Sequence, residues 1–263
     1  MDDETLARLE HENMVTTMLA FASAVDGALV RDEGGVAILS TLIPVRLFNQ
    51  VLISGPTATD DGLREAVGEL RARTDRHVVS LRVGADDQFL PLVAELGLVR
   101  IGETPWMPGM AMRPLDRGGA APVPDGHAIR RVTDAAGMAD HITAAAEGFG
   151  MPTEWLHAMG RALEDPLARV YVGYTDGVPV TAGLGTVTGR TIGIYNIATV
   201  PAARQRGYGA AMTMRIIDDG AADGCDVAIL QASEMGKPIY ERLGFRSVVD
   251  YVGYADPATL DGA

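Results

Sequence analysis

Residues 191–209 read TIGIYNIATVPAARQRGYG, and this stretch decides how the rest of the chain is read. Its first ten residues are mostly apolar and β-branched, as a buried strand requires. Pro201 closes the strand, and Arg204-x-x-Gly207-x-Gly209 leads into Ala210, Met214, Ile217 and Ala221, which recur at helical spacing. A strand that passes through a glycine pair into a helix is suited to holding phosphate. Glycine removes the Cβ where backbone must approach a ligand, and the first helical turn presents unpaired N–H groups at the positive end of its dipole.

Other glycine motifs fit less well. A dinucleotide-binding Gly-x-Gly-x-x-Gly would need a small residue where Met212 stands. Gly183-x-Gly185 lies inside an apparent strand, Val178 to Val187, with no helix opening after it. There is no Gly-x-Ser-x-Gly elbow, and Gly236-Lys237 lacks both the upstream glycine and the following Ser or Thr of a P-loop.

Further along the chain stands Ile239-Tyr240-Glu241-Arg242-Leu243-Gly244-Phe245. The order of strand, Val200-Pro201, Arg204-x-x-Gly207-x-Gly209, helix, strand and this segment resembles the GCN5-related N-acetyltransferase (GNAT) superfamily, over Gly126 to Asp256. The resemblance implies an α/β fold with a mixed central sheet flanked by helices, and acetyl-CoA or another acyl-CoA as cosubstrate. It assigns Ile197, Thr199, Val200, Arg204, Gln205, Arg206, Gly207, Tyr208, Gly209, Ala210 and Ser233 to the CoA site. Ser233 departs from the family, which often has an Asn there to bond the pantetheine arm; a hydroxyl replaces only part of that bonding.

Amine acetylation needs a neutral nucleophile, donors for the developing oxyanion and a proton for the leaving thiolate. The resemblance makes Tyr240 the general acid. The base is harder to place. An alkylamine with pKa near 10.4 costs roughly 4–5 kcal/mol to deprotonate at pH 7. Many family members use a Glu on the strand before the pyrophosphate loop, but 191–200 has no carboxylate, only Tyr195 and Asn196 as polar side chains with reach. Glu147, expected in the connection between two helices, is the candidate base, with Glu234 or a water chain as alternatives. The acceptor is expected where 148–155 crosses the strand ends, against Phe149, Met151, Trp155 and Asn196; Trp155, Met159 and Leu163 also fit one packed helical face.

The segment Leu115 to Gly126, LDRGGAAPVPDG, has the composition of a connection between two patterned regions. After it we expect strands at 127–131, 168–175, 178–187, 191–200, 226–231 and 245–254, and helices at 134–147, 153–163, 207–222 and 236–243. The first half repeats this order less clearly, with strands at 36–42, 47–53 and 77–83, helices at 60–73 and 87–96, and an irregular strand over 98–112. There SGPTATDDG replaces the glycine loop, and Asp60 and Asp61 stand where a pyrophosphate needs donors. The chain is therefore expected to be a tandem: a degenerate GNAT-like domain at 1–116, a linker at 117–125 and an acetyltransferase domain at 126–263. An unrelated α/β first half is the alternative.

Composition narrows the partners. With 22 Lys plus Arg against 35 Asp plus Glu, the formal charge is −13, which argues against nucleic acid and favours a cationic small-molecule acceptor. The single lysine, Lys237, among so many arginines suggests a GC-rich bacterial source. One cysteine, Cys225, excludes an internal disulfide, and the acidic N-terminus and absence of a long apolar run point to a cytoplasmic protein without membrane contact. Histidine spacing predicts no metal site. A homodimer is compatible with all of this, and the rival class is a non-catalytic acyl-CoA binding or sensing module.

Overall fold

Strands such as VAILS (36–40) and NQVLI (49–53) are buried at every position, so both faces of their sheet must be covered by helices. The computed structural model describes residues 1–102, 107–115, 123–158, 160–161 and 165–260. In chain order the elements are α1 (Asp3–Ser23), β1 (Leu29–Glu33), β2 (Val36–Ser40), β3 (Asn49–Ile53), α2 (Asp60–Arg73), β4 (Val78–Arg82), α3 (Leu90–Glu95), β5 (Val99–Arg100) and β6 (Met107–Met112). The second half adds β7 (His127–Arg131), α4 (Ala135–Phe149), α5 (Thr153–Ala158), β8 (Ala168–Thr175), β9 (Val178–Thr188), β10 (Thr191–Thr199), α6 (Tyr208–Ala222), β11 (Val227–Gln231), α7 (Lys237–Leu243) and β12 (Arg246–Ala255).

Among the described residues all twelve strands join one mixed sheet, ordered β1-β2-β3-β4-β12-β6-β11-β10-β9-β8-β7, with β5 beside β12. The two halves are built alike. In the first, β3 and β4 are parallel; in the second, β10 and β11 are parallel. The next strand outward is exchanged: β6, from the first half, pairs with β11, while β12, from the end of the chain, pairs with β4. β6 and β12 then pair antiparallel with each other at the centre. Each half thus completes the other's sheet.

Alternation along the strands sorts the core into two faces. On one, α1 packs over Ala111, Tyr195, Val227, Ile229 and Tyr251, and α4 and α5 continue that layer over Ala182 and Ala198. On the other, Met212, Ile216 and Ile217 of α6 lie on Met110, Met112, Ile192, Ile194, Ala228 and Leu230, and α2 and α3 cover β2 to β4.

Several boundaries differ from the sequence expectation. The 21-residue α1 and strand β1 lie N-terminal to the first expected strand. Residues 46–48 form a 3₁₀ turn rather than the start of β3. The irregular strand over 98–112 resolves into β5 and β6, with 103–106 outside the described residues. Helix α4 runs on to Phe149, where Gly150 closes it in the left-handed conformation (φ 65°). Of the helix expected over 153–163, only α5 is described as α-helix, and Met159 and Leu163 fall outside the described residues, as do linker residues 117–122. No helix among the described residues is long and apolar enough to cross a membrane.

Candidate active site

The site is built where β10 and β11 part. They pair only at Thr191–Gly193 with Val227–Ile229, yet β10 stays bonded to β9 as far as Thr199 and β11 to β6 as far as Gln231. A gap therefore opens between two strands that are each held on the outer side. Its edge is shaped by a bulge: the β9–β10 register shifts between Tyr195 and Ala198, and Asn196 adopts a left-handed φ of 53°.

After Val200 a 3₁₀ turn at Pro201–Ala203 redirects the chain, and Gln205 (φ 64°) and Gly207 (φ 81°) curl it into α6. Gly207 is the N-cap residue and supplies no capping side chain. The first intrahelical bond runs from Ala211 N–H to Gly207 C=O at 3.0 Å, which leaves the Tyr208, Gly209 and Ala210 N–H groups ahead of the ladder. A Cβ on Gly209 would meet only Thr199 Oγ1 at 3.5 Å and Ile197 Cγ2 at 3.6 Å, so the fold itself leaves room for one.

The corresponding turn in the first half is closed. Thr59 Oγ1 accepts from Gly62 N–H at 3.2 Å and caps α2, whose first turn carries Asp60 and Asp61, both exposed. Ser54 and Gly55 N–H groups are spent on Gly35 C=O at 2.8 and 3.1 Å.

The loop side chains have varied placements. Arg204 turns back: Nε donates to Thr199 C=O at 3.2 Å and Nη2 to Gly148 C=O at 2.9 Å. Its guanidinium thereby ties the loop to the ends of β10 and α4, whereas Arg206 is exposed. Tyr208 points into the core and stacks on His127 with centroids 4.1 Å apart, so only its backbone faces the loop's outer side. Ser233 Oγ accepts from Gly236 N–H at 3.1 Å and helps start α7.

Tyr240, on α7, is half-buried and meets Phe245 edge-on at 6.0 Å; burial pushes its phenol up to about 12, so it is protonated at neutral pH. It lies on the α6 face of the sheet. Glu147 is not in a connecting loop: it occupies the last turn of α4 and is exposed, with no side-chain hydrogen bond or ion pair among the described residues. Gly148 beside it faces the sheet, where a Cβ would come within 2.8 Å of Ala198 Cβ and 3.1 Å of Thr199 N, so α4 approaches the bulge closely. Phe149 is exposed, while Met151 and Trp155 pack against a cluster that joins Val25 and Ile43 of the first half to Ile142, Ala145 and Leu156 of the second.

The sequence expectation missed a polar cluster on the opposite, α1 face. Glu10, fully buried, accepts from Gln231 Nε2 at 2.5 Å and contacts Tyr251 OH at 2.7 Å. Asn13 donates to Thr186 C=O at 3.1 Å and Thr188 Oγ1 at 2.7 Å, and accepts from Tyr195 OH at 2.6 Å. Two strand glycines admit these side chains: a Cβ on Gly109 would lie 2.5 Å from Glu10 Oε1, and one on Gly193 would overlap Asn13 Oδ1. Desolvation raises Glu10 to about 7, and Tyr251 is pushed well up for the same reason, with Glu10 adding to the effect. Glycines inside strands mark such close approaches and were the available signal. Among the described residues no three His, Cys, Asp or Glu side chains gather as a metal site would require.

Comparison with known proteins agrees with this geometry. Residues 125–230 match the family described as acetyltransferase (GNAT) domain. Over 60 residues, 22% of this chain and 41% of the relative's length, the sequence is 38% identical to a glucosamine 6-phosphate N-acetyltransferase of Trypanosoma brucei brucei; the match thus spans less than half of that enzyme. Among solved structures, a GCN5-related N-acetyltransferase from Kribbella flavida superposes with TM-score 0.67 at 18% identity, covering 94% of this chain and 95% of its own. A tandem GNAT protein from the clavulanic acid biosynthesis pathway gives 0.62 at 12% identity, covering 96% and 94%. The matched residues hold the uncapped loop and β10 and β11 on either side of the gap: residues 125–230 match a GNAT acetyltransferase domain, and nearly the whole chain shares its fold with solved GNAT structures, one of them a tandem protein.

Proposed function

We propose that the chain is an N-acetyltransferase that moves the acetyl group of acetyl-CoA directly to a primary amine of a small molecule. The observation that carries this reading is the uncapped start of α6, turned by left-handed Gly207 beside the diverging end of β10. The backbone N–H groups of Gly207 to Ala210 and the exposed Arg206 would hold the pyrophosphate, through charge-assisted bonds of roughly 1.5–3 kcal/mol each. Arg204 and Gln205 shape the loop, Ile197, Thr199 and Val200 line the pantetheine path along the gap, and Ser233 can donate its hydroxyl proton to the arm. Bound acetyl-CoA supplies the thioester. Tyr240, protonated and half-buried, is the proton donor to the leaving thiolate. Phe149 and Asn196 border the acceptor side, and Glu147 contributes negative charge there.

We assign residues 1–116 to a degenerate GNAT-like half, 117–125 to the linker and 126–263 to the catalytic half, in a bacterial, cytoplasmic protein. The capped, acid-bearing start of α2 supports one CoA site per chain, not two. Calorimetry with acetyl-CoA, followed by CoA thiol release with amines that include glucosamine 6-phosphate, tests the reading. Binding at one per chain with amine-dependent thiol release is expected. Binding without amine-dependent turnover would make the chain an acyl-CoA sensor, and a stoichiometry near two would refute the single site.

A further inference from the structure

We propose that Glu10, carried by α1 of the opposite half, takes up the proton that the acceptor amine loses, in place of the carboxylate absent from β10. The assignment rests on the transferase reading above. Position 193 on β10 is a glycine, and the space a side chain would occupy there is filled by Asn13 of α1, one helical turn from Glu10. Glu10 itself reaches Gln231, the last residue of β11 at the edge of the gap. Tyr240 belongs to the other face of the sheet. Glu10 thus lies on the α1 face over β6 and reaches the gap edge through Gln231, while Tyr240 lies on the opposite face.

The groups around Glu10 suit it to accept a proton. It is faced by Gln231 of β11, Tyr251 of β12, Tyr195 of β10, Arg82 of β4 and, on its own helix, His11. The Ile53 carbonyl can only accept, so His11 Nε2, 2.8 Å away, carries the imidazole proton and Nδ1 is an acceptor. Nδ1 lies 3.0 Å from Tyr251 OH. Protonated Glu10 can donate to Tyr251, and Tyr251 can then donate to His11, which completes the chain. Ionised Glu10 draws the Tyr251 proton to itself and leaves Nδ1 without one.

In the step itself, the ammonium gives one proton to Glu10, and the freed lone pair attacks the thioester carbon. The C–N bond forms, the C–S bond breaks, and the thiolate takes the Tyr240 proton. The nitrogen's second surplus proton restores Tyr240, and the proton on Glu10 is later lost to solvent. Because the carboxyl is enclosed, the proposed transfer requires a water relay from the Gln231 end of the gap, and Glu10 acts as a positioning residue rather than in contact with substrate.

The test uses the full chain, Glu10→Gln and Glu10→Asp, with acetyl-CoA and ethanolamine, spermidine and glucosamine 6-phosphate as acceptors. Glu10→Gln should lower kcat by about 10² or more while the chain stays folded and acetyl-CoA affinity holds, and should lose the limb of kcat/KM that rises with pH. Glu10→Asp should keep that limb, displaced in pH. A folded Glu10→Gln variant with the wild-type rate and limb overturns the assignment. Should that variant not fold, a Glu10→Asp limb at the wild-type position overturns it equally. A wild type that binds acetyl-CoA but acetylates none of the amines overturns the transferase reading and this assignment with it; turnover by the wild type separates the two.

Discussion

Replacing Gly207 by Asp separates ligand binding from folding. The position has φ 81°, a conformation that costs most L-residues about 1–2 kcal/mol, though Asp tolerates it better than most. Space is no obstacle, since the nearest atom to a Cβ would be Pro124 Cγ at 3.7 Å. Asp is moreover a good N-cap, worth about 1 kcal/mol to a helix that lacks a capping side chain. The two effects nearly cancel, so the melting temperature should move by only a few degrees. Acetyl-CoA affinity should fall far more. The new carboxylate competes for the same N–H groups as the pyrophosphate, and one like-charge pair 4 Å apart at an effective dielectric of about 20 costs about 4 kcal/mol, or roughly a thousandfold. Calorimetry on the folded variant decides it. Unchanged affinity would refute the placement of pyrophosphate at this turn.

Tyr240→Phe should lower kcat by about 10² or more with acetyl-CoA affinity nearly unchanged, because it removes only the proton donor; equal rates in a stopped assay would reduce Tyr240 to packing against Phe245. Glu10 is raised to about 7 by burial, so its contribution to stability is full below its unfolded value near 4.5 and is lost as pH rises through 7. Glu10→Gln should remove that decline, about 2.5 kcal/mol between pH 5 and 8, in urea titrations compared with the wild type; parallel curves would show that Glu10 does not titrate there. His11, held near 4, destabilises the fold only toward acid, which both proteins share. A fragment beginning at Val123 should fail to give a soluble, cooperatively unfolding species, because β11 and β12 lose their shared partner β6; a stable, active fragment would contradict the exchanged sheet.

The second half was legible in sequence because its signals are local. Gly207, the apolar run before it and the helical spacing after it all act within one strand–loop–helix unit. The strand exchange was not legible: the apolar pattern of 107–112 says that the segment is buried, not which edge it joins. Helix α1 was missed for a related reason. It turns Glu10, His11, Asn13 and Thr17 inward, so its apolar stripe is broken on the very face it buries. Glu147 was placed in a loop because the apolar series Ala144–Ala146 ends there, whereas the stop signal is Gly150. Trp155 fits both an acceptor wall and a packed face in sequence, and the core it packs against draws on Val25 and Ile43, too distant in sequence to be foreseen.

The exchange of β6 and β12 also bears on how the protein comes into being. During synthesis the first half emerges with β4 uncovered on one side, and the strand that covers it, β12, follows only after β7 to α7 have been made. The first half therefore waits with an open edge, exposed to misassociation, until β12 has been made. Pairing so remote along the chain makes the final closure slow. It also makes the two halves inseparable: the first, whose α2 is capped by Thr59, cannot be deleted without taking the centre of the sheet with it.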